Sequence, residues 1–105
     1  MIRFNITDSV DQKFSTSING RRVTFRFRYN NNVGAWCFDL ALDGDYVRHG
    51  HIVTQNIDML RNFDFGIGSI FAFSETGTAL NRDTLISGAV GIYHVSEEEL
   101  NASMA

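Results

Sequence analysis

The sequence predicts one small, mainly β domain, either a β-barrel or a two-layer antiparallel fold, OB-like geometry included, ending in a short helix. Three observations point there. Asn19-Gly20 and Asp43-Gly44 each separate two alternating segments, aromatic residues are plentiful (nine Phe, three Tyr, one Trp), and Pro is absent. Without Pro the turns rest on residues that tolerate positive φ, which favours tight hairpins.

Ile2, Phe4 and Ile6 alternate with Arg3, Asn5 and Thr7, the period of a half-buried strand. Around Asn19-Gly20, residues 13–18 fold onto 21–28. That register sets Phe14 against Phe25 and Thr16 against Val23 on one face. Lys13 then meets Arg26, Ser15 meets Thr24 and Ser17 meets Arg22 on the other. A slip of one residue would invert both faces. Val23, Phe25, Phe27 and Tyr29 therefore point to the core, and Arg22, Arg26 and Arg28 form a basic outer stripe.

A loop of Asn30-Asn31-Asn32 with Gly34 leads to the second hairpin, 35–42 with 45–53 around Asp43-Gly44. The simplest two-residue register sets Leu40 against Val47 and Asp39 against Arg48, an opposite-charge pair. Trp36, Phe38, Leu40 and Leu42 share a face. Residues 56–63 break the alternation, and Asn56 is placed to cap one or two helical turns with Ile57 and Leu60 inward. Residues 65–73 carry no charge, and large positions (Phe65, Ile67, Phe71, Phe73) alternate with small ones (Gly66, Gly68, Ala72). Such a strand is covered on both faces or awaits a partner. After a polar loop at 75–83, residues 84–95 supply the last strand. Ser96-Glu97-Glu98-Glu99 is a capping box for a helical tail over 96–105, with Val95 and Leu100 as its staple.

With 105 residues the chain fits one domain, 1–105, around one core. The formal net charge of −3 speaks against a general duplex binder, which needs an excess of Lys and Arg. The N-terminal Met-Ile-Arg-Phe-Asn has no long apolar run, and no segment reaches bilayer length, so neither a leader nor a membrane partner is expected. The one cysteine, Cys37, sits between Trp36 and Phe38 and reads as a buried free thiol.

The search for chemistry yields little. His49-Gly50-His51, with His94, could supply three imidazoles to a metal, yet no acid lies within three positions of the pair. Polar strand residues opposite Phe38 and Trp36 are the simpler account. A buried Cys37 has its thiolate suppressed, so Cys-His catalysis is not expected. Asp39, Asp43 and Asp45 lack the spacing of a calcium loop. No catalytic residue, cofactor or metal follows. The alternative to a structural role is an OB-like single-strand nucleic-acid binder working through Lys13, Arg22, Arg26 and Arg28. Against it, the aromatics alternate onto the opposite face.

The order of features resembles a known family. It runs Phe14, Asn19-Gly20, Val23 to Tyr29, and Gly34-Ala35-Trp36-Cys37-Phe38-Asp39-Leu40. Asp43-Gly44, His51-Ile52-Val53, Ile57-Asp58-Met59-Leu60, Gly66-Ile67-Gly68 and Ile92-Tyr93-His94-Val95 follow. Over about residues 12–96 this is similar to the short baseplate plug proteins of contractile-tailed bacteriophages. The resemblance implies a non-enzymatic virion protein, folded in the host cytoplasm, at the distal end of the tail tube. Hub and tail-tube proteins are the implied partners, and a homo-oligomer of threefold symmetry is expected, with a threefold hub as its template. Trp36, Asp39 and Gly44 carry over as fold positions, joined by Gly20 from the turn chemistry. The expected interface combines Phe65, Ile67, Ile70, Phe71 and Phe73 with Arg22, Arg26 and Arg28.

Overall fold

The computed structural model describes residues 2–61, 63 and 65–99. Among them are strands β1 (Ile2–Arg3), β2 (Asp11–Ile18), β3 (Arg21–Asn30), β4 (Ala35–Leu42) and β5 (Asp45–Ile52). Strand β6 (Ser69–Phe73), helix α1 (Arg82–Ile86) and strand β7 (Gly91–Val95) complete the order. The strands form two antiparallel sheets, β2-β3-β4-β5 and β1-β7-β6. Neither sheet closes on itself, which overturns the barrel and the OB-like geometry with it. Contacts divide the chain into two compact units, residues 7–53 and residues 1–6 with 54–105. No helix among the described residues is long and apolar enough to cross a membrane.

In the unit of residues 7–53, Asn19 and Gly20 take φ of 53° and 75°, the paired positive values of a type I′ turn. The turn fixes the expected register, with Phe14 opposite Phe25, Ser15 opposite Thr24 and Ser17 opposite Arg22. Phe14, Phe25, Phe27 and Phe38 then stack across three strands, with neighbouring centroids 5.7–6.1 Å apart. Alternation predicts one covered face on β4. Instead every residue from Trp36 to Leu42 is buried, so Cys37, Asp39 and Ala41 are enclosed as well.

Asp43 and Gly44 make the second turn as expected, with φ of 52° and 89°. The register beyond it departs from the simple one. Leu40 faces Arg48 and Phe38 faces His51, because β5 bulges twice. Asp39 consequently does not pair with Arg48. Its carboxylate takes Arg28 of β3 at 2.5 Å and the N–H of Gly50 at 2.7 Å. Gly50 can accept this place because its φ is +61°, a conformation that costs a glycine little.

The other unit corrects four expectations. The first strand spans only Ile2–Arg3 against β7, leaving Ile2 64 % exposed, while the N–H of Phe4 donates to Ile92 O at 2.8 Å. Within 65–73 only Ser69–Phe73 is a strand. Gly66 and Gly68, at φ of 72° and 87°, bend the chain before it. Gly68 also passes so close to β7 that a Cβ there would lie 2.2 Å from Val95 O.

Residues 56–61 form no helix. Asn56 takes φ of +63°, and the N–H groups of Asn56 and Met59 donate to Ala72 O and Ile70 O on the edge of β6. Those bonds replace the i→i−4 ladder that a helix would need. Met59 and Leu60 are the buried residues, and Ile57 is 39 % exposed. Lastly, the stretch expected as one strand over 84–95 opens with α1. Asn81 caps it through Asp83 N and Thr84 N, and the Thr84 hydroxyl answers the Asn81 N–H. At the far end residues 97–99 are helical, and Ser96 and Glu99 exchange the two capping-box bonds. The staple with Leu100 and the tail beyond lie outside the described residues.

Candidate assembly surface

Pairing Phe71 with Tyr93 and Ser69 with Val95 sorts the β6–β7 side chains onto two faces. Ile70, Ala72, Ile92 and His94 share one, all buried, with His94 Nε2 held 2.5 Å from Ile67 O. The other carries Phe71, Phe73, Tyr93 and Val95. On that side Phe73 is 44 % exposed, and Phe71 and Val95 are half-buried. The Phe73 and Tyr93 rings meet edge to face at 6.2 Å, forming a ridge.

Two grooves share these rings. One, of about 330 Å³, is lined by Asn56, Phe71, Phe73, Tyr93 and Val95 and is almost wholly apolar. The second, of about 250 Å³, adds Arg3, Glu75, Thr76 and Gly88 to the same two rings. Arg3 is anchored there by the Gly88 carbonyl at 2.7 Å and sits 5.6 Å from the Tyr93 ring centroid. Phe73 is the exposed aromatic here, with polar neighbours at its edge, a composition found in protein-binding patches.

Of the residues expected at an interface, Phe71 and Phe73 line this surface. Ile67 and Ile70 are buried in the protein itself, and Phe65 stacks on Phe63 at 5.1 Å. Tyr93, Val95 and Arg3 were not anticipated. Their signal was available: Tyr93 and Val95 alternate with Ile92 and His94, so half of the last strand had to face away from the buried side.

The basic stripe is largely answered by acids of its own unit. Arg26 holds both carboxylate oxygens of Asp11 at 2.8–2.9 Å, Arg28 pairs with Asp39, and Arg21 reaches Asp43 at 3.2 Å. The Arg26 bond keeps Asp11 below the usual carboxylate range, and Asp11 in turn raises Arg26. Asp43 is lowered by the Arg22 backbone N–H and then by Arg21. Burial pushes Asp39 upward, but the Gly50 N–H and Arg28 outweigh it and its pKa falls. Lys13 and Arg22 make no ion pair among the described residues. A strand-binding groove needs open cations along its length, and this face has few.

The histidine pair is split by the bulge. His51 packs on Phe38 with centroids 5.0 Å apart, whereas His49 stacks on Tyr46 and lies 3.9 Å from Asp39. Phe38 and Asp39 are on opposite faces of β4, so the two imidazoles do not converge. Burial, then the nearby Arg48, lowers the His51 pKa. The described residues hold no group of three or more His, Cys, Asp or Glu that could take a metal ion. Cys37 is a buried free thiol, as expected.

Comparison with known proteins adds one match. A family model described as the cyanophage baseplate Pam3 plug gp18 matches residues 1–97. No curated protein matches the chain.

Proposed function

The chain belongs to the family of cyanophage baseplate plugs, structural components of the phage tail, and from that premise we propose that it works without catalysis at the distal end of the tail tube. Hub and tube proteins are its partners in this reading. The observation that carries it is Phe73, 44 % exposed on the outer face of β6, set edge to face on the buried Tyr93 ring and lining both grooves. A monomer that kept so large an aromatic unmet on a sheet would gain nothing from it; an assembled subunit buries it. Phe71 and Phe73 supply the apolar contact, with Phe65 beside them in sequence. Arg22, whose charge is unanswered within the described residues, supplies an exposed cation on the other sheet. Arg26 and Arg28 contribute less, being held by Asp11 and Asp39. Ile67 and Ile70 support the surface from below. A threefold hub would present the same site to several copies.

The test is co-assembly of Phe73→Asp and Arg22→Glu variants with hub and tube proteins. Phe73→Asp should stay folded and drop out of the complex. Arg22→Glu should weaken the complex more at low salt than at high. Normal recovery of Phe73→Asp in assembled baseplates would refute the surface assigned here.

A further inference from the structure

Four strand edges bound the two sheets, and three of them are closed or spoiled. The outer edge of β6 is covered by residues 55–59 through the Gln55–Ala72 bridge and two backbone bonds. Strand β5 is bulged twice. Strand β1 has two residues. That leaves β2, eight residues long and in unbroken register with β3. Proteins blunt long flat edges by such devices, and β2 carries charge only at Asp11 and Lys13 while its backbone edge is left open among the described residues.

The groups it offers can be named. The hairpin closes at Ile18 and Arg21, and the Val10 carbonyl accepts the Tyr29 N–H at 2.8 Å. Even-numbered residues therefore bond to β3, and Asp11, Lys13, Ser15 and Ser17 turn their N–H and C=O outward. Asp11 is already occupied, since Ser9 Oγ donates to its carbonyl at 2.8 Å and accepts its N–H at 3.3 Å. The backbone groups of Lys13, Ser15 and Ser17 have no partner among the described residues, and all three residues are exposed.

We propose that this edge pairs antiparallel with β2 of a second copy of the chain, about a two-fold axis at Ser15. This register sets Lys13 against Ser17 of the partner subunit and satisfies every open group on both strands. It also sets Phe14 against Thr16 of the partner subunit, an aromatic and β-branched cross-strand pair of the favourable kind. The two lysines then stand about 13 Å apart along the strands, beyond the ~8 Å screening length of physiological salt. Centring on Lys13 would oppose two ammonium groups directly. Centring on Phe14 would turn Ser17 toward the occupied Asp11. Parallel in-register stacking would pile lysine on lysine, so Lys13 also guards against open-ended growth. The charge chooses the register.

Sedimentation of the full chain across micromolar to submillimolar concentrations tests this, with Ser15→Pro and two cysteine variants. Proline at 15 removes an N–H that β3 does not use, so a folded chain is retained. The wild type should dimerise, and Ser15→Pro should weaken the dimer at least tenfold with its β-sheet circular dichroism kept. Under mild oxidation Ser15→Cys should form a disulfide-linked dimer, while Ser17→Cys, which faces Lys13 of the partner subunit, should not. A wild type that stays monomeric, a Ser15→Pro dimer of undiminished affinity, or equal crosslinking at 15 and 17 would each overturn the proposal. So would crosslinking of Ser15→Cys to hub or tube protein with none to itself. Each of these outcomes leaves the behaviour of Phe73→Asp, and so the baseplate role, standing separately.

Discussion

Asp39 accepts the backbone N–H of Gly50 at 2.7 Å, tying the β5 bulge to the strand beside it. Its other oxygen takes Arg28 of β3, so one enclosed carboxylate joins three strands. Its side chain is only 7 % exposed. Replacing it by Ala leaves a partly buried guanidinium and the Gly50 N–H without their acceptor. Asp39→Ala should lose about 3 kcal/mol in urea unfolding, and Asp39→Asn less, since an acceptor remains. An Asp39→Ala protein of wild-type stability would refute this account of the bulge.

The acid response should come in two stages. His51 titrates below its ordinary value in the folded chain. As pH falls through ~6.5 the unfolded chain takes up that proton first, so stability declines gently until folded His51 protonates too. Asp11, Asp39 and Asp43 are also lowered. Their contribution is complete above ~4 and is lost as pH falls through their folded values. Melting temperature should drift down from pH 7 to 5 and drop steeply below 4. His51→Gln should flatten the upper part alone.

Glycine substitutions should rank by space as well as by φ. Both Gly20 and Gly68 have positive φ, but nothing lies within 4 Å of a Cβ at Gly20, whereas Val95 O blocks one at Gly68. Gly20→Ala should cost about 1–2 kcal/mol, the ordinary penalty of a left-handed L-residue. Gly68→Ala should cost clearly more. Thermal melts of the two variants decide the order, and equal losses would mean that β7 gives way readily.

The two faces of β6 should behave oppositely toward charge. Ile70 is fully buried, and an aspartate there should abolish cooperative unfolding. Phe73→Asp forfeits mainly its edge contact with Tyr93, about 1 kcal/mol, and should melt only a few degrees lower. If both variants unfold, the outer face is structural after all.

How much of this was legible depended on whether local chemistry decided the outcome. The first hairpin could be read to the residue because Asn19-Gly20 admits one tight turn and the alternation admits one register. The second turn was equally plain, but the bulges were not. His49-Gly50-His51 preserves a period of two in sequence while Gly50 breaks it in space, and the lone glycine inside the strand was the only hint. Residues 56–61 have a helical apolar pattern, yet the edge of β6 offers their N–H groups better partners. Helix α1 was overlooked although Asn81, Asp83 and Thr84 spell a capped start. For the surface, the expected interface grouped Ile70 with Phe71 and Phe73, although strand alternation puts Ile70 on the opposite face. Alternation could not say which side would stay bare.

Strand β1 pairs with residues far along the chain. Ile2 pairs with His94 and Arg3 with Tyr93, so this ladder cannot form until the ribosome has delivered β7. The β2–β5 meander, by contrast, is built from neighbours in the chain and is complete by Ile52. Closing a short loop takes far less time than a long one, and vectorial synthesis widens the gap. The four-stranded sheet should thus exist as a nascent intermediate, with the Phe73–Tyr93 ridge assembled last. Pulse-labelled hydrogen exchange would find the Phe25 amide protected before that of Phe4, and the reverse order would exclude this sequence of events. The surface assigned to docking would then be the final one to appear, and a partner could not engage an unfinished chain.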